Sequence, residues 1–173
     1  MDAPEMVANA LTLNANFINK ALNEFSDDDL MQRPNDQCNP MGWTLWHQFR
    51  VEDNIIATLS NSRQIWIDGG WHAKFDMEAD PAQLGMGSSM DQVMALKPTV
   101  ENLKGYSAAV REKTLAYLKT LSPADLDRDI PAPDGSTRKA GDFLGILMLD
   151  HFHHSGQVCY LGGYLSGAGW FPR

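Results

Sequence analysis

Two stretches of helical periodicity in this chain end in nearly the same phrase, and each is followed by a helix that carries a histidine. Phe25-Ser26-Asp27-Asp28-Asp29-Leu30 closes the first, and Leu121-Ser122-Pro123-Ala124-Asp125-Leu126 closes a later one. A chain built this way reads as two helical hairpins in tandem. It predicts a pseudo-twofold bundle in which the second and fourth helices occupy equivalent places.

The punctuation between the phrases agrees. The first helix is predicted to begin near Asp2, with Pro4 in its first turn. Met6, Val7, Ala10, Leu11, Leu13, Phe17, Ile18, Ala21 and Leu22 then recur at helical spacing. Ser26 to Leu30 reads as a capped single turn. Asn39-Pro40 opens a second helix through His47 to about Leu59 by cap-then-proline logic. Ser89 to Gln92 fits a capping box for a third helix, which Pro98 should kink and which runs on to about Thr120. The fourth is expected from about Ala140 to Leu165, with Gly167 and Gly169 as its stop. Residues 61–88 hold breakers such as Gly69, Gly70 and Pro81 beside Trp66, Trp71 and Phe75, and are expected to form a packed aromatic cover. The fold class is therefore all-α, a four-helix bundle with a long irregular aromatic segment between helices 2 and 3. A single domain is expected over residues 1–173.

Charge and composition exclude several functions. With a formal net charge of −8, the surface repels phosphate backbones on average, so nucleic-acid binding is disfavoured. No apolar run approaches the roughly 20 residues that span a bilayer. Cys38 and Cys159 form neither a disulfide framework nor a CxxC motif. The amino-terminal stretch has no basic segment leading into an apolar run, and a cytoplasmic location is expected.

Three of the five histidines fall in Asp150-His151-Phe152-His153-His154. Residues four apart share a helix face, so Asp150 and His154 can point at one ion, as can the i,i+3 pair His151 and His154. A single helix then supplies two ligands whose separation it already fixes. His47, on the second helix, is the best candidate for the remaining one, because facing helices recurrently build metal sites in bundle cores. Three protein ligands leave a position open for water or substrate, as in catalytic sites. Gln157, at i+3 from His154, is a candidate outer partner. His72 is a candidate for the cleft lining. Arg50, Glu52 and Asp53 read as ion-pairing residues, and Trp43 and Trp46 as packing. No GxGxxG, P-loop or GxSxG motif is present.

Gly42-Trp43-Thr44-Leu45-Trp46-His47, with Arg50-Val51-Glu52-Asp53, resembles the second-helix motif of the DinB/YfiT-like superfamily. His154-Ser155-Gly156-Gln157-Val158, running into Tyr160-Leu161-Gly162-Gly163, is similar to its fourth-helix motif. Ile65-Trp66, Gly70-Trp71, Phe75 and Gly85-Met86-Gly87 look like its middle segment. The resemblance implies a four-helix bundle, often dimeric, with one divalent metal held by three residues. Two ligands map onto His47 and His154. The third, usually His and sometimes Glu, falls on Asp150, a departure that shortens the reach and keeps His151 as the alternative.

It further implies Zn or Ni, with Fe or Mn also suited to two nitrogens and a carboxylate, and a low-molecular-weight thiol as a further cofactor. The expected activity is a metal-dependent transferase or isomerase acting on a small-molecule substrate. Its rivals are a hydrolase using bound water and a non-catalytic metal- or ligand-binding bundle. Arg50 and Arg63 are candidate cations for a thiol's carboxylate. A homodimer is the expected assembly.

Overall fold

Asp2 opens the molecule as a helix cap: its side chain accepts from the Glu5 amide, and Glu5 returns the bond to the Asp2 amide at 3.0 Å. The computed structural model describes residues 1–132 and 135–166. From Asp2 runs α1 (Ala3–Glu24), followed by the one-turn α2 (Asp27–Leu30) with the same reciprocal cap between Ser26 and Asp29. α3 spans Met41–Ser60 and stops where Asn61 turns left-handed. Pro40 itself holds its cap position and no side chain caps it, so Asn39 does not play the role expected of it. Two short helices, α4 (Ile65–Asp68) and α5 (Trp71–Lys74), lie in the segment that sequence marked as irregular.

The expected kinked third helix is two helices. α6 (Met90–Ala95) ends at Leu96, and α7 (Val100–Leu118) restarts from a new cap at Thr99. Pro98 lacks the amide a helix needs, and it pushes the preceding residue out of the helical region. Its ring also packs on the bare α-carbon of Gly42, where an added Cβ would come within 2.6 Å.

The fold is mostly helical, as expected, with one small addition. A short antiparallel pair, β1 (Asp129–Pro131) and β2 (Thr137–Lys139), sets Ile130 opposite Arg138. Three-residue strands without alternating apolar character leave little sequence signal. The pair leads directly into α8 (Ala140–Ser166). The Gly167 and Gly169 stop lies outside the described residues.

The long helices pack pairwise: α3 lies against both α7 and α8, and α1 touches the same two. The apolar side chains form two clusters. One contains Trp43, Trp46, Trp66, Phe75 and Tyr106, and the other Val7, Leu11, Ile55, Phe143 and Leu147. Every long helix crosses from one cluster to the other through buried polar residues: Asn14 on α1, Gln48 and Glu52 on α3, Thr114 on α7, His151 and Ser155 on α8. These are hydrogen-bonded to one another. Asn14 donates to Ser155 Oγ at 2.7 Å and accepts from Gln48, and Thr114 donates to Glu52 at 2.6 Å. The candidate site lies along this polar layer.

Candidate metal centre

α3 and α8 have the most extensive contact of any two elements described. Their facing turns bring His47, Asp150 and His154 together. Asp150 Oδ2 lies 3.6 Å from His47 Nε2 and 3.4 Å from His154 Nε2, and one potential ligand atom from each residue falls within 4.8 Å of the others. The two imidazoles meet edge to face with centroids 4.9 Å apart. Tetrahedral ligands about 2.1 Å from an ion are roughly 3.4 Å apart, so the spacing suits a small divalent cation.

The far nitrogen of each ring is engaged. His47 Nδ1 contacts the Leu84 carbonyl, which can only accept, so that nitrogen carries the proton and Nε2 is turned to the group. His154 Nδ1 pairs with Gln157 Oε1 at 2.8 Å, with the same consequence. Trp43 stacks on His47 with centroids 5.3 Å apart and planes 9° from parallel. Asp150 turns Oδ2 to the two imidazole Nε2 atoms, while its Oδ1 is buried with no hydrogen-bond partner, 3.9 Å from His151 Nδ1. The donor set and the ring orientations fit a bound divalent ion.

Charge follows from these contacts. Burial pushes the Asp150 carboxyl up, but hydrogen bonds from His154 and His47, and their charges, bring it down to about 2. Burial pulls His154 down, and its bonds to Asp150 and Gln157 outweigh this, leaving it above 6.5. The carboxylate is therefore ionised and ready to bind a cation at any ordinary pH.

His151 points elsewhere. Its ring has no exposed surface, and its Nε2 lies 2.8 Å from Glu52, which Arg111 also meets at 2.8 Å. A helix advances about 100° per residue, so the neighbour of a group-facing Asp150 must face another helix. Burial pushes Glu52 up, while the Arg111 charge and the bonds from His151 and Thr114 hold it below its ordinary value.

Other sequence candidates are accounted for by packing. Arg50 is wholly buried, donates to Gln64, Tyr106 and the carbonyls of Pro81 and Gln83, and lies over the Trp66 ring at 4.5 Å. It has no donor to spare for a thiol's carboxylate. Arg63 pairs with Asp68 at 3.0 Å on the surface. His72 packs edge-on against Trp66, outside the group. The Cys159 thiol is pushed by burial to about 11 and is no thiolate at neutral pH. Leu84 was not legible as a participant, since a backbone carbonyl 37 residues from its histidine has no side-chain signature.

Comparison with known proteins agrees with this helical frame. A sequence profile of the DinB superfamily matches residues 10–158, and the chain belongs to that superfamily. No curated protein matches. Among solved structures, a conserved protein from Enterococcus faecalis superposes with a TM-score of 0.85 at 20% identity, covering 96% of this chain and 99% of its own. A DinB-like protein from Bacillus cereus superposes with a TM-score of 0.64 at 17% identity, covering 94% and 92%. Among the described residues, no helix is long and apolar enough to cross a membrane.

Proposed function

We propose that this protein is a metal-dependent enzyme holding one divalent ion, Zn or Ni, between His47, Asp150 and His154, and that it acts on a small molecule with a low-molecular-weight thiol as co-substrate. The observation that carries this is the convergence of three ligand atoms within 4.8 Å on two facing helices, with both outer imidazole nitrogens already engaged. The side chains of Asp150 and His154 keep 16% and 20% of their surface exposed, which supports an approachable centre rather than a closed structural one.

A divalent ion there would lower the pKa of a thiol or water beside it and polarise a carbonyl. The chain's own residues do the rest. Leu84 and Gln157 hold the two rings in register, Trp43 shields one face of His47 from water, and Asp150 supplies the compensating negative charge. A four-helix bundle with residues 61–88 as its aromatic cover is the architecture proposed with this function. The pairwise helix contacts and the buried Trp66 and Phe75 support it.

We also propose a homodimer. A groove between α1 and α8 is lined by Leu13, Phe17 and Phe152, of which Leu13 and Phe152 are exposed. An exposed apolar groove of this kind suits a second copy of the chain.

Metal analysis of the purified protein is the first test, with one ion per chain expected and uptake lost in His154→Ala. Turnover of electrophilic small molecules with and without thiol is the second. Activity that needs metal but no thiol would replace the transferase by a hydrolase, and a chain that takes up no divalent metal would end the proposal.

A further inference from the structure

We infer that the loop of residues 79–88 is part of the ion's cradle, with Gly85 as a positioning residue that makes metal binding and loop docking a linked equilibrium; this rests on the metal site proposed above. The loop reaches His47 through one backbone group, the Leu84 carbonyl on Nδ1. Gly85 follows immediately, with φ +96°, and a Cβ there would lie 2.8 Å from Trp43 Cζ2, 2.9 Å from Trp46 Cζ3 and 3.3 Å from His47 Nδ1. Trp43 and Trp46 are buried rings that cannot swing aside. Glycine is thus required twice, for the left-handed backbone and for the approach to the rings.

The loop is also held from beneath. Arg50 donates to the Gln83 carbonyl at 3.1 Å and the Pro81 carbonyl at 3.2 Å, and Gln64 donates to Pro81 at 3.0 Å. Gln83 turns back to accept the Gly85 amide at 3.0 Å. Docked, the loop fixes the His47 tautomer that leaves Nε2 free for an ion. Undocked, that nitrogen competes with Nδ1 for the proton and the ring is free to turn. Linkage is reciprocal: if docking tightens the ion, the ion must tighten docking by the same factor.

Gly87 supplies the matched control. It too is left-handed, at φ +75°, but a Cβ there would meet nothing within 4 Å. Gly85→Ala and Gly87→Ala therefore carry similar backbone strain, and only the first disturbs His47.

The experiment measures the zinc Kd of wild type and both variants by competition with a chromophoric chelator, and hydrogen exchange of residues 79–88 in the wild type with and without zinc. Gly85→Ala is expected to weaken zinc binding by about 10- to 100-fold, the usual cost of losing an outer partner, with Gly87→Ala close to wild type. Zinc should raise protection across 79–88. Equal affinity in Gly85→Ala and wild type, equal losses in both variants, or unchanged loop exchange would overturn the coupling alone. A wild type that takes up no zinc overturns the metal site and the coupling together. The exchange measurement needs no variant, so the test survives a Gly85→Ala protein that fails to fold.

Discussion

Replacing His151 by alanine should cost stability and leave the metal in place, whereas replacing Asp150 should do the reverse. His151 has no exposed surface and meets the buried Glu52 carboxylate at 2.8 Å. A hydrogen bond to a buried charge contributes about 1.5–3 kcal/mol. The hole left by the imidazole adds roughly 1–2 kcal/mol. Arg111 and Thr114 still partner Glu52 in the variant, which keeps the total near 3 kcal/mol rather than higher. At about 2–4 °C per kcal/mol for a chain of this size, the metal-free Tm should fall by roughly 10 °C. Above the raised His154 pKa, where the charge pairing with His154 is absent, the metal-free Tm of Asp150→Ala, whose side chain keeps 16% of its surface, should move far less. Its zinc affinity should nevertheless drop by more than about 100-fold, because a ligand is gone. Thermal unfolding of chelated protein and metal content by mass spectrometry read the two quantities separately. Stoichiometric metal in Asp150→Ala, together with its loss in a folded His151→Ala protein, would refute the assignment and make the centre a three-histidine one.

Zinc affinity should fall on acidification through the raised His154 pKa, by about tenfold per pH unit below it, because the ion must displace a proton from Nε2. The metal-free protein behaves oppositely: the stabilisation from protonated His154 is complete below 6.5 and is lost as pH rises through the raised value, which chelated thermal melts across this range will read. Arg50→Leu should strand the Gln83 and Asp80 carbonyls and remove the counter-charge beside the buried Asp53, costing roughly 3–5 kcal/mol and opening residues 79–88 to limited proteolysis; a variant as resistant as wild type would contradict the anchoring role. Phe152→Asp should shift the proposed dimer to monomer in analytical ultracentrifugation without changing the helical circular dichroism, and a wild type already monomeric at high concentration would remove the dimer.

Local chemistry was legible in the order of residues, and contacts between distant residues were not. The caps at Asp2, Ser26 and Ser89 could be read because each bond closes over three residues. The alignment of Asp150 with His154 follows from helix geometry alone. Choosing Asp150 over His151 was another matter, since both spacings are acceptable on a helix. What distinguishes them is Glu52, 99 residues from His151, which occupies that imidazole on the other side of α8. Pro98 signalled a disturbance, but the packing of its ring on Gly42, 56 residues away, has no local signature. Arg50 read as one of several paired charges until the fold set loop carbonyls around it, and the Leu84 carbonyl belongs to a group that every residue carries. Sequence alone determined the courses of α1, α3 and α8, the caps at Asp2, Ser26 and Ser89 and the residues capable of ligating an ion, because those depend on neighbours within about one turn. Tertiary structure decided which of these residues meet and which backbone group orients them, because burial and hydrogen bonding across helices depend on chain paths that no local pattern encodes.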